Sequence, residues 1–263
     1  MKSQVNREKV KKIRRQQRWR MLRNFFIFLL VAGSLYEMWA YVHDPNFAFG
    51  TIQISGTRKL SNDDILKMSG QTRPINIINL NTSRVEDAIA HDVRFVGGKC
   101  RYQWPGVFYV TVVERAPAIY VGDSYGSYIK IDYEGVIMSI TKGIPDSSAP
   151  LLVNETLENS FVGDVVNNPR ILAVLKFMNG LSFEACQDFS EVRIDEYNNL
   201  QVVLKTGLRV IVGILSDAPD KASTFMMIYN KVKGESVDVE FVDMRFNKPY
   251  VRLRQGMKKV CGK

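Results

Sequence analysis

Phe108-Tyr109-Val110-Thr111-Val112-Val113 follows the turn Trp104-Pro105-Gly106, and its reading decides the fold of the first folded region. Aromatic and β-branched residues in one short run predict a strand, and Pro-Gly is turn chemistry. The residues before the turn, Val93–Gln103, predict the other arm of a hairpin ending at Arg115. Working back, Ser83-Arg84-Val85-Glu86 predicts a capped helix start, with Val85, Ala88 and Ile89 on one apolar stripe. Ser61-Asn62-Asp63-Asp64 predicts a second one, with Ile65, Leu66 and Met68 on its apolar side. Gly50–Gly56 alternates as a strand does. The order is β-α-α-β-β, a small α+β domain.

Upstream, the chain divides by charge. The whole protein has 263 residues and a formal net charge of +9, from 36 Lys+Arg against 27 Asp+Glu. Residues 1–24 hold ten Lys or Arg and one acid, Glu8, so the rest of the chain nets zero. A basic pI therefore does not imply nucleic-acid binding by the folded part. Residues 25–42 form an apolar run of 18 residues, about 27 Å as a helix against a hydrocarbon core of about 30 Å. Trp19 flanks one end, while Tyr36, Trp39 and Tyr41 gather at the other. Both are interfacial placements, and the basic block stays cytoplasmic. Glu37 reads as snorkelling to the headgroups, with contact to a partner helix as the alternative. Ala32-Gly33-Ser34 fits a cleavage site, but the apolar run continues past it, so an uncleaved signal anchor is expected.

Downstream, strands dominate. Tyr128–Ile131 and Val136–Ser139 flank the turn Asp132-Tyr133-Glu134-Gly135. Strands are expected at Val192–Glu196, Leu200–Lys205, Leu208–Val212, Val237–Phe246 and Tyr250–Leu253. Helices are expected at Pro169–Leu181 and Asp217–Lys233. The stretch from Thr141 to Pro169 reads as a loop without a motif, and the tail from Gln255 is short and basic.

Catalytic patterns are thin. The histidines, His43 and His91, are distant and give no metal spacing. Cys100, Cys186 and Cys261 form no Cys-x-x-Cys and are expected as free thiols. Gly122-Asp123-Ser124-Tyr125-Gly126 matches a nucleophile elbow, yet no histidine base follows it and strands flank it. It reads as a turn rather than a hydrolase site. No catalytic residue, metal, cofactor or small-molecule substrate is expected.

The order of a basic tail, one span and two outer domains resembles the FtsQ/DivIB family of bacterial cell-division proteins. The residues that carry the resemblance are Ile52-Gln53-Ile54-Ser55-Gly56, Gln103-Trp104-Pro105 and Val113-Glu114-Arg115-Ala116-Pro117 in a POTRA-like domain. In a β-domain-like region they are Ile129–Val136, Val210-Ile211-Val212-Gly213 followed by a helix bearing Lys221, and Val242-Asp243-Met244-Arg245-Phe246. The fold implied is α+β: one transmembrane helix, a β-α-α-β-β POTRA domain and a strand-rich mixed β domain with two packed helices. The domains would be 1–24 (tail), 25–42 (anchor), 47–118 (POTRA), 119–253 (β domain) and 254–263 (tail).

The resemblance implies a non-catalytic divisome scaffold in the cytoplasmic membrane, with its N-terminus inside and its domains in the periplasm or on the outer face, at the septum. Its partners would be the single-span proteins FtsB (DivIC in many Gram-positive lineages) and FtsL. The partner edge maps to Arg245, Phe246, Tyr250, Val251 and Arg252, and a recruitment surface to Cys100 and Tyr102. An alternative is a single-span POTRA protein of envelope transport or outer-membrane assembly. A DNA-binding role for the basic tail is a further alternative, disfavoured because such tails serve orientation and anionic-lipid attraction.

Overall fold

The computed structural model describes residues 2–44, 46–143, 146–234, 239–246 and 248–253, with side chains in the first helix from Gln17 onward. The tail 254–263, with Cys261, lies outside the described residues, as do positions 237–238 of the expected strand Val237–Phe246. The fold is α+β and divides into two compact units: Met1–His91 with Gly97–Val113, which includes a long N-terminal helix, and Asp92–Val96 with Glu114–Lys263.

Helix α1 (Lys2–Val42) runs unbroken for 41 residues. Its part from Gln17 to Val42, which holds an 18-residue window of mean hydropathy 1.7, is long and apolar enough to cross a membrane.

The first unit has strand β1 (Thr51–Ser55), helices α2 (Asn62–Ser69) and α3 (Thr82–Ala90), and strands β2 (Phe95–Gln103) and β3 (Val107–Glu114). Its sheet order is β1-β3-β2, with β1 parallel to β3. Helix α2 starts where its capping box predicts: Ser61 Oγ accepts from the Asp64 amide, and the Asp64 carboxylate accepts from the Ser61 amide at 2.9 Å. The expected box at Ser83 is corrected. Asn81 caps α3, accepting from the Arg84 amide at 3.1 Å, because asparagine two residues earlier is as good a cap as serine. The core is Ile52, Ile65, Leu66, Val85, Ile89, Phe108 and Val110.

The second unit is a nine-stranded sheet. Its strands are β4 (Pro117–Gly122), β5 (Ser127–Asp132), β6 (Ile137–Lys142), β7 (Leu151–Thr156), β8 (Phe189–Ile194), β9 (Asn199–Leu204), β10 (Arg209–Ile214), β11 (Val239–Asp243) and β12 (Tyr250–Leu253). The order is β12-β11-β10-β9-β8-β7-β4-β5-β6. Strand β7 corrects the expected featureless loop: it is parallel to both β4 and β8, mid-sheet. Parallel neighbours need crossovers. Helices α4 (Pro169–Asn179) and α5 (Phe183–Gln187) bridge β7 to β8, and α6 (Ala222–Gly234) bridges β10 to the parallel β11.

Asn168 caps α4, accepting from the amides of Arg170 and Ile171. Helix α6 starts later than expected, after two 3-10 turns at Leu215–Asp217 and Pro219–Lys221. Pro219 lacks the N–H that would continue an α-helical ladder there. Phe225 of α6 meets Phe177 of α4 and Phe189 of β8 edge-on, each at 5.6 Å between ring centres. Both helices thus close one core with the inward residues of the sheet.

Candidate partner-binding edge

Strand β12 is the terminal strand of the large sheet, bonded on one side to β11 and, among the described residues, to nothing on the other. All four of its residues are exposed. An open strand edge presents unpaired N–H and C=O groups, which a partner strand satisfies by β-addition. The antiparallel register sets Val251 against Val242, Arg252 against Phe241 and Tyr250 against Asp243. Val242 belongs to the core, so Phe241, Tyr250 and Arg252 share the opposite face. There Tyr250 lies 6.0 Å from the Phe241 ring, and Arg252 pairs with Glu240 at 3.2 Å.

At the end of β11, Arg245 folds back on Asp243, its Nη2 donating to Oδ2 at 2.7 Å. These bonds from Arg245 hold the Asp243 carboxyl below the usual carboxylate range, against the opposing effect of burial. The Phe246 ring is 66% exposed with the Arg245 guanidinium 5.9 Å from its centre. Phe246 is therefore a displayed aromatic rather than a core one.

A fixture under this edge was not foreseen. Lys221, the last residue of the second 3-10 turn, sends Nζ to the carbonyls of Val212 at 3.1 Å and Met244 at 3.0 Å. The parallel strands β10 and β11 are thereby tied at the ends from which Arg245 and Phe246 emerge. Gly213 makes the space: its φ is +116°, and a Cβ there would come 2.7 Å from Lys221 Nζ. A Val-Gly pair ending a strand before a Lys-bearing helix was visible in the sequence, but its meaning lay in a strand 23 residues beyond Lys221.

Cys100 and Tyr102 are in the first unit, on the edge strand β2. Tyr102 donates its hydroxyl to the Leu80 carbonyl and tilts against Phe108 at 5.0 Å. The Cys100 amide donates to Glu86 Oε1 at 2.6 Å, which occupies the carboxylate expected to cap α3. Burial, then the Glu86 charge, pushes the Cys100 thiol up to about 12. Cys100 and Cys186 are free thiols.

Ser124 and the two histidines have structural partners. Ser124 sits in the β4–β5 turn and donates to Glu158 at 2.5 Å. His91 and His43 each bond a backbone carbonyl four residues back, those of Asp87 and Trp39. Among the described residues no group of three or more His, Cys, Asp or Glu is placed to hold a metal.

Two family models match. The FtsQ-type POTRA domain covers residues 47–115, and the C-terminal domain of cell division protein FtsQ/DivIB covers 119–245, ending just short of β12. The cell division protein DivIB of Clostridium acetobutylicum is 26% identical over 199 residues, 74% of each chain. FtsQ of Mycobacterium leprae is 22% identical over 218 residues, 83% of this chain and 60% of that one. FtsQ of Mycobacterium tuberculosis H37Rv is 23% identical over 201 residues, 76% of this chain and again 60% of the relative. The match thus spans under two thirds of the mycobacterial proteins. A solved extracytoplasmic domain of DivIB from Geobacillus stearothermophilus aligns at 20% identity over 46% of this chain and 97% of that one, with a TM-score of 0.33. With both models matched in tandem behind an apolar helix, the chain belongs to the FtsQ/DivIB family of bacterial cell-division proteins.

Proposed function

We propose that this chain is a non-catalytic divisome scaffold. Helix α1 anchors it in the cytoplasmic membrane with the basic end inside, and its outer domains, taken as 47–118 and 119–253, work at the septum. It binds FtsB/DivIC-like and FtsL-like single-span proteins. The contact is strand addition along β12, with Arg245, Phe246, Tyr250, Val251 and Arg252 reading the partner's side chains. Cys100 and Tyr102 mark a second, recruitment surface. The observation that supports this reading is the terminal position of β12 together with the exposure of Tyr250–Leu253 and Phe246. Affinity then comes from main-chain bonds and specificity from alternate side chains.

The test is binding of the detergent-extracted full-length protein to the partner's outer segment. Phe246→Ala and Arg252→Glu should each weaken it about tenfold or more, as loss of an aromatic or arginine anchor does. Unchanged affinity with an unchanged circular dichroism spectrum would rule the edge out as the main contact.

A further inference from the structure

One end of the first unit is fastened to the last turn of α1. Asn76 Nδ2 donates to the Val42 carbonyl at 2.8 Å, and Asn79 Nδ2 donates to the His43 carbonyl at 3.2 Å. Carbonyls in a last helical turn lack partners within the helix, and here two side-chain amides supply them. Asn76 is buried, and its Oδ1 accepts from the Ile78 amide at 3.1 Å, so the tie is held from both sides. A run of rings adds to it: Tyr41 against Phe47 at 5.1 Å, and Phe47 stacked on Phe49 at 6.3 Å. Phe49 in turn exchanges backbone bonds with the same segment, its amide to the Ile75 carbonyl and its carbonyl from the Ile77 amide.

This fastened end is apolar and uncovered. Phe49, Ile77, Ile78, Tyr102, Trp104 and Pro105, with Gln103 as the one amide side chain, line an open groove of about 270 Å³ that has no Lys, Arg, Asp or Glu among its walls. Trp104 is 82% exposed at the tip of the β2–β3 turn. The turn is held beside the helix exit because the Thr51 amide donates to the Gly106 carbonyl at 2.8 Å.

The apolar run of α1, residues 25–42, is about 27 Å long, against a hydrocarbon core of about 30 Å flanked by headgroups. Val42 therefore reaches the outer headgroup layer, and what is bonded to Val42 and His43 lies at that level. Tryptophan is the side chain that favours this layer, with an apolar body and one N–H donor for lipid ester or phosphate oxygens.

We propose that the Trp104-Pro105 turn and Ile78 seat in the headgroup layer of the bilayer that α1 spans, giving the protein a second, interfacial lipid contact. The proposal rests on the reading of α1 as a membrane anchor. It commits to lipid, not to a protein segment, because the tie to Val42 and His43 fixes the depth of the groove.

The test uses the full-length protein in vesicles of phosphatidylcholine with phosphatidylglycerol, with or without bromine high on the acyl chains. Trp19→Phe with Trp39→Phe leaves Trp104 as the sole tryptophan. Its emission should fall about twofold in brominated vesicles, as for an indole at the interface, and iodide in the outer solution should quench it weakly. Trp104→Phe, which keeps Trp19 and Trp39, reports the anchor separately. If that variant is quenched by bromine and Trp104 is not, the seat is overturned while the anchor stands. If neither is quenched and the protein fails to float with vesicles, both fall. Protection of Trp104 from bromine and iodide alike would mean a protein covers the groove, and would also overturn the proposal.

Discussion

The ammonium of Lys221 lies 3.0 Å from the carbonyl oxygen of Met244, two residues before the exposed Phe246. With its second bond to Val212, it bridges the two parallel strand ends beside the backbone bond from the Met244 amide to the Ile211 carbonyl, 2.8 Å. Lys221→Met keeps the aliphatic stem and removes both bonds. It should cost about 2 kcal/mol, the scale of hydrogen bonds made by a charged donor. Urea unfolding measures the loss, and amide exchange at Met244 and Arg245 should quicken. Unchanged stability together with unchanged exchange would show that the strand ends do not need Lys221.

Asp243 makes this corner sensitive to acid. Its carboxyl is held below the ordinary value of 3.8, first by the hydrogen bonds from Arg245. A depressed folded value gives stability that is complete above the unfolded value and lost as pH falls through the folded one. Wild type should therefore exceed Asp243→Asn in stability near neutrality. The gap should be full above the ordinary carboxylate value and should close as pH falls below it. A gap constant across that range would mean that the carboxylate charge is irrelevant.

Arg115 ties the start of the second unit to the β5–β6 turn. Its guanidinium meets Asp132 and Glu134, the latter at 2.8 Å, and also donates to the Phe95 carbonyl. Asp132 is buried with only 2% of its side chain exposed, and its Oδ1 accepts from the amides of Glu134 and Val136. Arg115→Met strands that carboxylate, so a loss of about 3–5 kcal/mol is expected. Adding Asp132→Asn should restore part of it. Thermal unfolding of the two variants decides, and an undiminished midpoint in Arg115→Met would sink the argument.

Cys100 should be a sluggish nucleophile. With its thiol raised from 9.0 to about 12, the thiolate fraction near pH 8 falls about a thousandfold. In a Cys261→Ser background, iodoacetamide labelling of Cys100 should be far slower than that of a fully exposed thiol. It should rise modestly in Glu86→Gln, since burial is the larger cause. Labelling at the rate of an exposed cysteine would contradict the half-buried placement.

Elements that announce themselves locally were legible. The Ser61–Asp64 box, the Trp104-Pro105-Gly106 turn and the Asp132–Gly135 hairpin each need only neighbours in sequence. Strand β7 was not, because Leu151-Leu152-Val153 is a short run whose strand character comes from β4 and β8 on either side. Helix α5 was missed for the same reason: five residues give no period to read. At the edge, order along the chain was enough to place Tyr250–Arg252. Phe241 and Glu240, which touch Tyr250 and Arg252, became apparent only from the register of β11.

The strand order also has a temporal meaning. From β4, strands β5 and β6 extend the sheet one way, and β7 through β12 extend it the other way in unbroken chain order. A chain delivered from its N-terminus meets, at every step, a neighbour already laid down. Strand β12 comes last, and it closes on β11 only after α6 has crossed the sheet. The open edge of β12 therefore exists only on the finished domain, since the strand it rests on is itself laid down next to last.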